Sequence, residues 1–155
     1  MINMKQSPDP KGTGSLNSID ANLLKRLKRK KFLSEKQVED LSAQFKGCQG
    51  NLFHKLLPLG IIEDRDLAKC YAKVCGLPFL DIRKVKPESE ILRLLDEKKC
   101  QQFRALPIGY AEKKLIVAIT DASDVVKLDD LRLEFNDQVQ FVVTLPAAMD
   151  ELLSQ

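Results

Sequence analysis

Gly76 and Pro78 divide this chain into two stretches of different hydrophobic period, and that switch limits what it can fold into. Upstream, Leu67, Tyr71 and Val74 recur at helical spacing, while Leu56 and Leu57 close an earlier apolar face that Gly60 interrupts. Ile61-Ile62 then return to the core before the next helix. Downstream the apolar runs shorten and alternate with turn residues, as strands require. A helical front followed by mixed strands and helices gives an α+β class: four short helices, then a small sandwich with a three- to four-stranded sheet.

The front half predicts its helix ends as well as its faces. A first helix is expected over about 20–30, with Leu23, Leu24 and Leu27 as its stripe. Ser34 and Gln37 have capping-box spacing for a second helix that buries Val38, Leu41 and Phe45 before Gly47. Asn51 is placed to cap a third helix containing Leu52, Phe53, Leu56 and Leu57. The fourth, over about 63–75, is acidic at its start and carries Lys69 and Lys73 later, as the helix dipole favours. Lys31-Phe32-Leu33 before Val38 and Leu41 echoes Gly60-Ile61-Ile62 before Leu67 and Tyr71, which suggests a duplicated helix pair.

In the second half, Leu77–Ile82 reads as a short strand, and Pro87 opens a helix with Ile91, Leu92 and Leu95 inward. A further short helix is expected over 96–103. Two strands, 104–111 and 115–120, flank a hairpin turn over 111–114. The run Leu115–Ile119 is wholly apolar, the mark of a central strand covered on both faces. Ser123 or Asp124 caps a helix with Val126, Leu128, Leu131 and Phe135 inward. A third strand over 139–144 and a closing helix from Pro146 to about Leu153 complete the half. The expected organisation is a flexible tail over 1–18, a helical subdomain over 19–76 and an α+β subdomain over 77–155, the tail because Pro8, Pro10, Gly12 and Gly14 stand among polar residues.

Several chemistries find no support in these 155 residues. No apolar run exceeds five residues, against the roughly twenty that span a bilayer, and the first residues lack a signal-peptide core, so export is not expected. No phosphate-binding glycine loop and no nucleophile-elbow motif occurs, and His54 is the single histidine, placed in an apolar helix. Cys48, Cys70, Cys75 and Cys100 form no C-x-x-C pair, which favours reduced thiols over a disulfide or zinc framework. The paired carboxylates Glu63-Asp64, Asp129-Asp130 and Asp150-Glu151 fall at helix starts or on polar faces. No catalytic residue, metal site or cofactor is expected.

Charge is the strongest polar signal. The first fifty residues hold 10 Lys/Arg against 5 Asp/Glu, leaving 15 against 17 for the rest of the 25 and 22 in the chain. Lys25, Arg26, Lys28, Arg29, Lys30 and Lys31 concentrate the excess and are the candidate partner-binding residues. Three readings of the run stay open: a solvated helix face, a surface for an acidic protein or anionic lipid, and a nucleic-acid contact, the last without interleaved aromatics or a docking motif. The segment Thr120–Asp124 after the central strand is either a ligand loop or a turn with a helix cap.

Leu59-Gly60-Ile61-Ile62, Asp66-Leu67, Gly76-Leu77-Pro78-Phe79 and Asp81 occur here in a distinctive order. Leu106-Pro107-Ile108, Leu115 to Asp121 and Asp129-Asp130-Leu131-Arg132 continue it. Together they resemble the N-terminal domain of the ATPases of type II secretion and type IV pilus assembly. The resemblance covers roughly residues 19–155. It implies a non-catalytic adaptor that precedes or accompanies a motor ATPase domain, in cis or in trans. Its partner would be the cytoplasmic region of an inner-membrane platform protein, and its location the bacterial cytoplasm, peripheral at the inner membrane.

A subset of that family binds cyclic di-GMP through two tandem motifs resembling R-L-G-x-x-L-x-x-x-G-I-I, followed by leucines and a glutamine. By that resemblance Arg26, Leu52, Leu56, Gly60, Ile61 and Asp121 are the ligand candidates, and a cyclic di-GMP sensor is the alternative function. A basic nucleic-acid or anionic-lipid module is the other alternative. The first copy has Lys31 where the motif has glycine. The second has Asn51 for the arginine, Phe53 for the first glycine and Val74 for the glutamine. Arginine would supply a planar donor fork for phosphate or guanine, and valine donates nothing.

Overall fold

A computed structural model describes residues 18–45, 52–123 and 125–154. Two compact units divide between Val74 and Cys75. The expected tail, apart from Ser18, lies outside the described residues, as do Gly47, Cys48, Asn51 and Asp124.

The first unit is helical: α1 (Ser18–Arg29), α2 (Glu35–Gln44), α3 (Leu52–Leu56) and α4 (Asp64–Cys75). Its core is built from the expected leucines. Leu23, Leu27, Leu52, Phe53 and Leu67 are fully buried, with Leu24 and Leu56 nearly so. Phe53 of α3 stacks on Tyr71 of α4 with ring centroids 4.3 Å apart and planes 8° from parallel. The Ser34 capping box forms in both directions: the Gln37 amide donates to Ser34 Oγ at 3.1 Å, and the Ser34 amide donates to Gln37 Oε1 at 2.8 Å. On α2 only Leu41 is fully inward, while Val38 and Phe45 are half-buried at the margin of the stripe.

The duplication has a structural counterpart. Lys31 follows α1 with φ +67°, and Gly60 follows a short 3-10 turn (Leu57–Leu59) with the same φ of +67°. After each, one apolar residue is exposed and the next is buried: Phe32 (37%) and Leu33 (4%), then Ile61 (45%) and Ile62 (6%). Leu23, Leu24 and Leu27 correspond in the same register to Leu52, Phe53 and Leu56, all in the core.

The second unit holds α5 (Ser89–Leu92), α6 (Glu97–Phe103), β1 (Ala105–Ala111), β2 (Lys114–Ile119), α7 (Val125–Glu134), β3 (Val139–Val143) and α8 (Pro146–Leu153). The sheet order is β1-β2-β3, with β1 antiparallel and β3 parallel to β2. The all-apolar run Leu115–Ile119 is therefore the central strand, as its composition requires. Pro107 sits on the edge strand, where its missing N–H removes nothing from the centre, and the register slips between Pro107 and Gly109. Arg132 on α7 lies 5.1 Å above the Phe141 ring of β3, fixing that helix over the sheet.

Three expectations need correction. The strand over Leu77–Ile82 is reduced to a single parallel bridge, Phe79 with Val143, held by Val143 N–H to Pro78 O at 2.8 Å and Leu80 N–H to Val143 O at 2.9 Å. Asp81 ends it: its carboxylate accepts the Arg83 amide at 3.1 Å and turns the chain into a 3-10 helix over Ile82–Lys84. Pro87 does not open a helix, because α5 starts two residues later with Glu88 as its cap. Val126 is 71% exposed rather than inward. Leu128 and Leu131 on α7 are buried, and Val126 stands about 200° round the helix from Leu128.

Candidate functional site

The basic run occupies the second half of α1 and the turn after it. Leu24 and Leu27 enter the core, so helical geometry leaves Lys25, Lys28, Arg29, Lys30 and Lys31 exposed and Arg26 half-buried. Lys28 is committed locally, with its Nζ 3.0 Å from Glu35 Oε1 at the start of α2. Among the described residues, Arg26 and Lys30 are in no ion pair.

A second helix supplies cations that the sequence reading passed over as dipole complements. Asp66, Lys69, Cys70 and Lys73 recur at i, i+3, i+4 and i+7 on α4, so they form one face. That face joins Arg26, Lys30 and Phe32 to line a groove of about 360 Å³. A neighbouring groove of about 380 Å³ is lined by Asn22, Lys25, Arg26, Arg29, Lys73 and Val74. Arg26 and Lys73 belong to both, so the two make one cationic strip. The buried Cys70 thiol at its floor has its pKa pushed up by burial, with Arg26 and Lys30 pulling it down and Asp66 adding to the rise.

Of the ligand candidates, Arg26, Leu52, Leu56, Gly60 and Ile61 lie in the first unit and Asp121 in the second. Leu52 and Leu56 are sealed in the core at 0% and 1% exposure. Gly60 and Ile61 share the turn before α4, and Ile61 is exposed. Asp121 belongs to the second unit, where its Oδ1 accepts hydrogen bonds from the amide and hydroxyl of Ser123. That is an Asx turn beyond the central strand. His54 is half-buried on α3 with its ring 5.0 Å from that of Phe53. Asp129 is engaged by Arg132 at 2.9 Å, and Asp150 pairs with Arg104.

No group of three or more His, Cys, Asp or Glu side chains among the described residues is placed to hold a metal ion. No described helix is long and apolar enough to cross a membrane.

The second unit decides the ancestry. Residues 75–155 match the family of the MshEN domain, and that match begins where the second unit begins. The chain belongs to the MshEN domain family. It is homologous to the N-terminal regions of type II secretion and type IV pilus assembly ATPases. One relative is the type IV pilus assembly ATPase PilB of Myxococcus xanthus, 22% identical over 83% of this chain and 23% of its own length. Another is the type II secretion system protein E of Xanthomonas campestris, 30% identical over 63% of this chain and 18% of its own length. The chain thus spans about a fifth of the length of these relatives. Among solved structures, the N-terminal domain of XpsE superposes with a TM-score of 0.67 at 26% identity, covering 89% of this chain and 95% of that one. A structure of MshE with cdg has the same fold, with a TM-score of 0.72 at 24% identity, covering 85% and 96%.

Proposed function

We propose that this MshEN domain is a non-catalytic adaptor of a type II secretion or type IV pilus assembly ATPase system, binding the cytoplasmic region of an inner-membrane platform protein. The observation that carries the reading is the cationic strip on α1 and α4, whose Arg26, Lys30, Lys69 and Lys73 take part in no internal ion pair among the described residues. Desolvating and ordering such a face is unfavourable without a partner, so charges kept clear of their own carboxylates suit intermolecular recognition. The homology to secretion and pilus ATPases supports this reading, whose setting would be the bacterial inner membrane.

The test is a ¹⁵N titration of this domain with the cytoplasmic region of a platform protein. Saturable shifts are expected in the helical unit, and their absence at high partner excess would reject the adaptor reading.

A cyclic di-GMP sensor is the second reading, favoured by one observation. The turns at Lys31 and Gly60 share φ +67° at corresponding places of the two helix pairs, as a tandem motif would, and one protein of the same fold is a structure with cdg. Against it, Val74 stands where the motif's glutamine would donate, and Leu52 and Leu56 are sealed. Calorimetry with cyclic di-GMP decides: micromolar affinity would place the sensor reading first.

A further inference from the structure

We infer that the groove between α1 and α4 receives an acidic amphipathic segment of a protein partner, a refinement that rests on the adaptor reading. Lys25, Arg26, Arg29, Lys30, Lys69 and Lys73 line the two joined grooves against the single carboxylate of Asp66. From Asn22 to Lys30 the strip follows α1 for about 12 Å, at roughly 1.5 Å per residue. That length matches about two turns of a helix carrying carboxylates at i, i+3, i+4 and i+7, and exceeds the reach of one phosphate group.

The chemistry of the lining separates the two kinds of anion. Four of the six cations named at the strip, Lys25, Lys30, Lys69 and Lys73, are flexible point charges without the planar fork that grips a phosphate bidentately. Phe32, 37% exposed at the end of the groove, provides an apolar shelf that an inorganic or nucleotide phosphate does not use. A peptide with carboxylates along one flank and a leucine or phenylalanine at its end satisfies both parts. Charge complementarity fixes the occupant's sign, and Phe32 fixes its apolar anchor.

The probe is a fluorescein-labelled helical peptide of alternating leucine and glutamate pairs, beside a version with every glutamate replaced by glutamine. Anisotropy should show binding of the acidic peptide that weakens about tenfold between low and physiological salt, as exposed charge pairs are screened. Amide shifts should centre on Phe32, Lys69 and Lys73. Lys69→Glu/Lys73→Glu should weaken binding at least about tenfold, since both side chains are exposed and the reversal adds repulsion. Lys69→Gln/Lys73→Gln should give a smaller loss in the same direction, which keeps the test valid if the reversal disturbs folding.

Equal binding of the glutamine peptide, or affinity unchanged in both double variants, would overturn the inference. So would displacement of the peptide by pyrophosphate at lower concentration than by free acidic peptide. The two levels separate cleanly. A platform fragment that binds the wild type and both double variants equally removes the groove and leaves the adaptor. A groove that binds the acidic peptide beside a platform fragment that does not bind removes the adaptor and leaves the groove.

Discussion

The fully buried carboxylate of Asp20 on α1 accepts a hydrogen bond of 3.3 Å from the backbone amide of Leu52, the first residue of α3. The first amides of a helix have no partner within it, so a side chain from a different helix satisfies one of them here. This ties α3 to α1 through a polar contact in an otherwise apolar core. Asp20→Ala is expected to destabilise the domain by about 1–3 kcal/mol, the usual range for leaving a buried donor unpaired. Asp20→Asn keeps an acceptor oxygen and should lose less. Urea midpoints rank the three proteins, and faster exchange of the Leu52 amide should accompany the loss. An alanine variant with an unshifted midpoint would refute the role.

The twin turns make an opposed pair of predictions. Lys31 and Gly60 share φ +67°, a conformation that costs a side-chain-bearing residue roughly 1 kcal/mol and glycine almost nothing. A Cβ added at Gly60 would meet nothing within 4 Å, so Gly60→Ala should be destabilising through the backbone alone, by about 1 kcal/mol. Lys31→Gly should move the melting temperature the other way by a smaller amount, because glycine also gains freedom in the unfolded chain. Calorimetric melting of both variants checks the signs. A stabilised Gly60→Ala would mean that the turn relaxes out of the left-handed region.

Lys31 and Phe32 also mark how far the chain was legible. Burial drives local pattern, so the leucine stripes, the Ser34–Gln37 cap, the central strand Leu115–Ile119 and the Pro146 helix start were all readable. Each of them depends on neighbours within a few residues. The Leu77–Ile82 strand was misread because Asp81 competes with the ladder by bonding the Arg83 amide, a local bond that the apolar pattern does not reveal. Val126 was misassigned because its apolar character outweighed its angle on α7. For the site, the α1 cations were visible as a run in sequence. Lys69, Cys70 and Lys73 were not, because a groove between helices far apart in sequence is a tertiary fact. Their i+3, i+4 and i+7 spacing from Asp66 was the one signal that could have shown a shared face.

The β1–β2 hairpin turns through Glu112 and Lys113, with φ of +50° and +70°. Two successive left-handed residues are the pattern of a type I′ turn, which asparagine followed by glycine adopts with least strain. Glu112→Asn/Lys113→Gly is therefore expected to stabilise the second unit by about 1 kcal/mol. The check is the guanidinium midpoint of the double variant. An unchanged or lower midpoint would show that these side chains hold the turn by contacts that outweigh the backbone cost.

Cys100 sets a pH dependence whose sign follows from burial. The thiol is 3% exposed on α6, and its pKa is raised to about 11 from the ordinary 9.0 by burial first and then by the charges of Asp96 and Glu97. The folded state thus holds the proton more tightly than the unfolded one. The associated stability is fully present below pH 9 and is lost as pH rises through about 11. At about 1.4 kcal/mol per pH unit the loss amounts to no more than about 2–3 kcal/mol. Lys99, whose pKa is raised chiefly by its hydrogen bond to Glu134, titrates in the same alkaline direction, so wild type alone does not isolate the thiol. Cys100→Ala keeps the lysine pair and removes the thiol. Between pH 8 and 11 its stability should fall less steeply than that of wild type, by about 2 kcal/mol over the window. Iodoacetamide supplies the independent measure, since the thiolate is the nucleophile: at pH 8 half-buried Cys75 should be alkylated well before Cys100. Parallel stability profiles for the two proteins, together with rapid labelling of Cys100, would mean that solvent reaches the thiol and that burial does not set its proton affinity.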